Sequence, residues 1–250
     1  MNKILVIGDV HDSPKIPQDR LTWIGKYARK TKPDYIVQIG DFGSFDSLSH
    51  FQANDTQQGK LKDAFMVDIE SLQSAIQKFN KALNIDSIPR HCTIGNHEMR
   101  VHKFEERIPE IQNLMKETLY SSFHNNGWTT TEYGEFFFIG GVGFVHAPLN
   151  IMGREYGGKN AEVQIANDSV HDLVFGHTHK HRDWKSPKIG KSQFVRIINV
   201  GCSLPFNHIE EYAKLSMTGW SWGIVELHIW DNHIQESNFL SMDRLEKEYA

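Results

Sequence analysis

Thr93-Ile94-Gly95-Asn96-His97-Glu98-Met99-Arg100 decides the fold. The short run His91 to Ile94 ends on a glycine, and an amide, an imidazole and a carboxylate follow without a spacer. Packing alone asks for no such series at the end of a buried strand. A strand that stops in a glycine-led turn does present polar side chains at the carboxyl edge of a sheet, where α/β proteins place their ligands. The same event recurs four times. Ile4 to Ile7 ends at Gly8-Asp9-Val10-His11, and Tyr35 to Ile39 ends at Gly40-Asp41-Phe42-Gly43. Val142 to Val145 ends at His146-Ala147-Pro148, and Leu173 to Phe175 ends at Gly176-His177-Thr178-His179.

The segments between these runs complete the pattern. Leu21, Ile24, Tyr27 and Ala28 recur at helical spacing within 19–30, and Pro33 ends that helix. Strand, helix and strand over the first forty residues predict a parallel βαβ unit. Phe65, Ile69, Leu72, Ile76 and Phe79 mark a long amphipathic helix over 61–83. Two helices, 99–107 and 111–120, are divided by Pro109, and Gly140-Gly141 marks a hairpin between 135–139 and 142–145. A short helix over 159–167 and strands over 196–200, 223–230 and 234–241 follow. The expected fold class is α/β: a two-sheet β-sandwich flanked by helices, with the five polar loops at one edge. A chain of 250 residues fits one domain over 1–250, with the polar stretch 44–60 as a lid or specificity segment.

Composition bounds the rest. A net charge of -4 announces neither nucleic acid nor an anionic membrane as a bulk partner, though it permits a local basic path. Cys92 and Cys202 match no metal spacing and read as buried, reduced thiols. The N-terminus runs straight into a strand and no segment reaches membrane-spanning length, so a soluble, cytoplasmic protein is expected.

Collected from the strand ends, Asp9, His11, Asp41, Asn96, His97, His146, His177 and His179 are too many donors for one ion and suit two divalent cations. The ordered set Gly-Asp-x-His, Gly-Asp, Gly-Asn-His-Glu, His and Gly-His-x-His resembles the calcineurin-like metallophosphoesterase superfamily, from Gly8 to His179. That resemblance implies a sandwich fold flanked by helices. It implies Asp9, His11 and His179 around one metal, Asn96, His146 and His177 around the other, and Asp41 bridging the two. His97 is then the general acid. Two cations about 3.5–4 Å apart would clamp the phosphoryl oxygens and lower the pKa of a shared water. The resulting hydroxide would attack phosphorus in line, without a covalent phosphoenzyme. Such donor sets accept Mn, Fe, Zn, Ni or Co, with Mn as the first expectation.

The chain departs from the family pattern at the second motif. Protein phosphatases continue it as Gly-Asp-x-x-Asp-Arg-Gly, whereas this chain reads Gly40-Asp41-Phe42-Gly43-Ser44-Phe45-Asp46. Ser44 replaces the aspartate that orients the catalytic histidine, and the phosphate-gripping arginine is absent. Glu98 or Asp46 are the candidates to orient His97, and Arg100 is the candidate phosphate contact or, equally, a surface ion pair. The segment 44–51 and Asn199-Val200-Gly201-Cys202 loosely resemble small phage and bacterial members.

Three functional readings follow. The first is a phosphodiesterase or phosphomonoesterase on small or nucleotide substrates. The second is a 3′–5′ DNA or RNA nuclease, for which Lys180, Arg182, Lys185, Lys188 and Lys191, read as a basic loop opposed by Asp183, would carry the strand, with Trp184 as the sole stacking candidate. The third is a catalytically silent interaction platform, which the filled ligand positions disfavour. Neither the oligomer nor the natural substrate is written in the sequence.

Overall fold

The computed structural model describes residues 1–49, 64–190, 193–210, 213 and 219–250. Two sheets stack face to face. The first has the order β11-β10-β1-β2-β3-β4, built from Asn2–Ile7 (β1), Tyr35–Gln38 (β2), Arg90–Thr93 (β3), Trp128–Thr131 (β4), Gly223–Trp230 (β10) and His233–Ser241 (β11). β1 to β4 run parallel, with Val6 opposite Val37 and Thr93 opposite Thr131, while β10 and β11 are antiparallel. The second has the order β5-β6-β7-β9-β8, from Phe137–Ile139 (β5), Val142–Phe144 (β6), Leu173–Phe175 (β7), His181–Pro187 (β8) and Phe194–Val200 (β9).

Alternation along the strands makes the layers. Ile4, Val6, Val37 and Ile39 face the second sheet and meet Phe144, Val174, Ile198 and Val200 in the inter-sheet core. Their neighbours Leu5, Ile7 and Ile36 point the other way and pack beneath the helices. The helices on that side are Asp19–Thr31 (α1), Phe65–Leu83 (α2), Met99–Glu105 (α3), Leu114–His124 (α4) and Met242–Tyr249 (α6). Leu173, Phe175 and Ile197 cover the outer face of the second sheet together with Ile165 and Ala166 of Ala161–Asp168 (α5). Strands buried on both faces read as continuous apolar runs, which is why β1 and β7 stood out in the sequence.

The expected α/β two-sheet architecture is observed, with three elements added. β4 has the sequence Trp-Thr-Thr-Thr and lacks an apolar run, α6 follows the last strand, and β8, over His181–Pro187, takes up most of what reads as a basic loop, Lys191 lying outside the described residues. β8 is an edge strand, fully paired with β9 on one side only. Asp183 does not oppose the neighbouring lysines; it binds Arg196, with Nη2 to Oδ2 at 2.5 Å. Lys188 hydrogen-bonds the carbonyls of Ala166 and Asn167, and Lys185 lies 3.7 Å from the centroid of the Phe194 ring. Of the segment 44–60, residues 44–49 form a short 3₁₀ turn at Asp46–Leu48 with Phe45 and Leu48 buried; the rest, with His50 and 61–63 of the expected helix, lies outside the described residues. Cys92 and Cys202 are buried free thiols. Among the described residues no helix is long and apolar enough to cross a membrane.

Candidate metal centre

All five polar loops meet at the carboxyl edge of β1, β2, β3, β6 and β7. The two sheets are tied there directly, because His146 Nδ1 donates to the Ile39 carbonyl at 2.9 Å. Backbone amides of one loop hold the carboxylates of another. The His97 amide donates to Asp41 Oδ1 at 2.8 Å, and the His177 amide donates to Asp9 Oδ2 at 2.9 Å. Two glycines make this approach possible. A Cβ at Gly95 would stand 2.2 Å from Asp41 Oδ1, and one at Gly176 would stand 2.2 Å from Asp9 Oδ1. His11, Asp41, His177 and His179 all adopt positive φ, between 47° and 67°, which turns their side chains inward at a conformational cost.

The loops bring the candidate ligands into two sets. In the first, Asp9, His11 and His179 offer ligand atoms within 4.8 Å of one another. His11 Nε2 and His179 Nε2 are 2.9 Å apart, and Asp9 Oδ2 is 3.1 Å from His179 Nε2. In the second, Asp41, His146 and His177 do the same, and Asn96 Oδ1 sits 2.9 Å from His146 Nε2 and 2.8 Å from His177 Nδ1. Asp41 touches both: its Oδ2 is 3.8 Å from His11 Nε2 and 3.3 Å from His146 Nε2.

The donors fit cations. Imidazole nitrogens converge on carboxylate and amide oxygens, with Asp9, His11, Asp41, His146 and His179 buried, and Asp9 Oδ1 and His11 Nδ1 lack a hydrogen-bond partner. Mixed N and O donors of this kind suit first-row divalent ions. The electrostatics agree. Burial lowers the proton affinity of His11, reinforced by His97 and His179. Burial works against a charge on His146 as well, yet the Asp41 carboxylate draws that imidazole up to about 10. Burial also opposes the Asp41 charge, but His146 and His97 hold its carboxyl well below the usual range. A cation entering here would compete with a proton for His146.

His97 stands at the edge of both sets. Its ring meets that of His11 edge-on, with centroids 4.4 Å apart, and His11, Asp41 and His97 form a third group with ligand atoms within 4.8 Å. Nδ1 lies 2.9 Å from the Ser44 main-chain carbonyl, which can only accept, so that nitrogen carries the hydrogen. Nε2 is therefore the acceptor for Arg100 Nη2 at 3.2 Å. Burial holds His97 at about 4, outweighing the pull of Asp41. Neither Glu98 nor Asp46 contacts the ring as its orienting partner; the Ser44 carbonyl does that. Glu98 is instead a buried clamp on the turns, accepting from the amides of Asp41 (3.0 Å), Gly43 (3.0 Å) and Gly95 (2.9 Å). Burial and the nearby Asp41 charge push it up to about 7. Arg100 does pair with Asp46, Nη1 to Oδ1 at 3.2 Å, while also donating to the Ser44 carbonyl at 2.7 Å.

Three residues at the centre carry no signal in the sequence. Glu155 Oε2 is 3.1 Å from His177 Nε2, and the Tyr133 hydroxyl donates to Glu155 Oε1. Trp220 lies edge-on to His179, with ring centroids 4.3 Å apart. All three sit in loops with no strand-end signature to mark them.

No curated protein sequence matches the chain. Among solved structures, Vps29 of Entamoeba histolytica complexed with Zn²⁺ aligns with 14% identity over 96% of this chain and 99% of that one, at a TM-score of 0.42. YfcE, a phosphoesterase from E. coli, aligns with 14% identity over 94% and 98%, at a TM-score of 0.41. The family model described as calcineurin-like phosphoesterase matches residues 2–181, which include all five loop motifs. The chain belongs to the calcineurin-like phosphoesterase family.

Proposed function

We propose that the protein is a dinuclear metal-dependent phosphoesterase that hydrolyses phosphodiesters or phosphomonoesters. The observation that carries this reading is the position of Asp41, whose one carboxylate reaches both ligand sets while its Oδ1 is fixed by the His97 amide. When bound, two divalent cations would neutralise the phosphoryl oxygens and acidify a water. Asp9, His11 and His179 would hold one, Asn96, His146 and His177 the other, and Mn is the first candidate.

The chain's own residues supply the remainder. Arg100 lies against Nε2 of His97 and is positioned to exchange that contact for a phosphoryl oxygen. Its departure, with the arrival of an anion, removes one of the influences that keep His97 unprotonated. Nδ1–H stays on the Ser44 carbonyl, so an added proton resides on Nε2, where it faces the leaving oxygen. Hydrolysis of p-nitrophenyl phosphate, its bis ester and thymidine diesters in Mn²⁺ tests the reading. Turnover that collapses in His97→Ala and Asp41→Ala supports it. A metal-loaded wild type that turns over none of these esters would refute it and favour an interaction platform.

A 3′–5′ nuclease is the second reading. Arg182 and Trp184 of β8 line a cleft of ≈ 280 Å³ with Lys159 and Asn160 at the start of α5, and the indole is 44% exposed. Lys159, Arg182 and the indole are the groups of this cleft that suit a single strand, with Glu162 and Asp183 in the same lining, and the cleft begins three residues after His179. Cleavage of oligonucleotides that falls steeply with salt would place it first.

A further inference from the structure

We infer that Glu155 is a positioning residue for the second cation: it fixes the ring of His177 so that Nδ1 faces inward as a ligand. This inference rests on the dinuclear reading above and assigns a role to a residue outside the five motifs.

His177 is addressed from both ends. Nδ1 is 2.8 Å from Asn96 Oδ1, on the side where His146 and Asp41 converge. Nε2 is 3.1 Å from Glu155 Oε2. A carboxylate can only accept, so it selects the tautomer in which Nε2 carries the hydrogen and the Nδ1 lone pair is free. Carboxylate partners of this type set the orientation and basicity of a metal-binding imidazole. Without it, His177, whose side chain is 25% exposed, has water as the alternative partner for Nε2 and no fixed tautomer.

The surroundings deliver the carboxylate to this place. Leu149 and Glu155 face each other across an isolated bridge that closes a tight reverse turn. Asn150 holds the turn: its Oδ1 accepts from the amides of Met152 (2.9 Å) and Arg154 (3.1 Å), and its own amide donates to the Arg154 carbonyl at 2.9 Å. Gly153 takes a φ of 71° at the tip. Tyr133 then ties the second carboxylate oxygen, leaving Oε2 for the histidine. A contact this exposed adds little stability. Tautomer choice is a different service, and it does not require a strong bond.

The histidine on the other side of the same cation has the equivalent arrangement with a different acceptor. His146 Nδ1 donates to the Ile39 carbonyl, which leaves Nε2 for the centre. Each of the two imidazoles thus has one nitrogen pinned from outside the site and one presented to it.

Calorimetric titration of the metal-stripped full chain with Mn²⁺ tests the inference on the wild type, Glu155→Ala, Glu155→Gln and Tyr133→Phe, with the melting temperature of each variant measured in EDTA. The wild type should take up two ions. Glu155→Ala should keep one site and weaken the other by about 10–100-fold, and Glu155→Gln, which retains an acceptor oxygen, should recover most of that loss. Two sites at wild-type affinity in Glu155→Ala would overturn the inference while leaving the dinuclear reading intact. Equal weakening of both sites with a lowered melting temperature would overturn it in favour of a loop latch. A wild type that binds fewer than two ions would overturn both readings.

Discussion

Replacing Gly95 with alanine places a methyl group at the most crowded point of the centre. The new Cβ would stand 2.2 Å from Asp41 Oδ1 and 2.3 Å from the Asp41 amide nitrogen, where ordinary contact begins at 3.4 Å. Asp41 must therefore retreat by about 1.2 Å, a displacement on the scale that costs about 10²-fold in turnover. Rotation of the side chain cannot relieve the clash, because the second atom belongs to the main chain. The turn after β2 must move as a unit, and with it the amides that Glu98 clamps. Overpacking of this kind costs about 1–3 kcal/mol in stability. On the proposed dinuclear reading both cations should bind more weakly, because Asp41 reaches both candidate ligand sets. Gly157→Ala is the control, since nothing lies within 4 Å of a Cβ there. Urea midpoint, Mn²⁺ titration and bis-p-nitrophenyl phosphate turnover, compared between the two variants, decide the matter. If Gly95→Ala matches Gly157→Ala in all three, steric exclusion is not the reason for glycine at the head of this motif.

Four further outcomes follow from the same geometry. Ser44→Ala should leave kcat within about twofold, because the main-chain carbonyl, not the hydroxyl, holds His97, and the buried Oγ has no partner to lose; a tenfold fall in steady-state rate would assign the hydroxyl a role. Arg100→Ala should lower kcat/KM by about 10–100-fold and weaken inhibition by inorganic phosphate, whereas Asp46→Ala should change both far less. Burial lowers His91 to about 4, between the hydroxyls of Thr129 and Thr131, so the unfolded chain takes up a proton first as pH falls below ~6.5. That stability is fully present above ~6.5 and is lost towards pH 4; about 2 kcal/mol of the loss between pH 7.5 and 5 should vanish in His91→Gln, as read by urea unfolding at each pH. Chelation should lower the melting temperature reversibly, and each ion restored at a hundred times its Kd should return about 2.7 kcal/mol.

The legibility of the site followed from where its residues sit. Asp9, His11, Asp41, Asn96, His97, His146, His177 and His179 each follow a strand buried on both faces, and an apolar run stopped by polar residues is visible without any knowledge of the partner strand. Glu155, Tyr133 and Trp220 reach the same place from irregular loops, where no periodicity links them to His177 or His179. The Ser44 carbonyl could not have been found at all, because a main-chain acceptor has no residue type. The same logic separates the strands. β7 is apolar throughout and β1 is so from Ile4 to Ile7, whereas β8, at the edge of its sheet, carries Arg182, Asp183, Trp184 and Lys185 in a row and mimics a loop. Trp128 of β4 is buried beside Phe42 and Phe79, but three threonines follow it and break the expected run.

The left-handed backbone at His11, Asp41, His177 and His179 has a consequence for protein engineering. Each of these residues costs about 1–2 kcal/mol relative to a relaxed conformation, and glycine or asparagine at the same positions would remove much of that cost. Selection for thermal resistance alone, in chelator, should therefore enrich such replacements and empty the site of its proposed ligands. Selection that scores heat resistance with Mn²⁺ present should drive the same four positions in the opposite direction, because each lost ligand then forfeits binding energy that stabilises the fold. The medium in which a library is heated would decide whether the survivors keep the proposed ligand set.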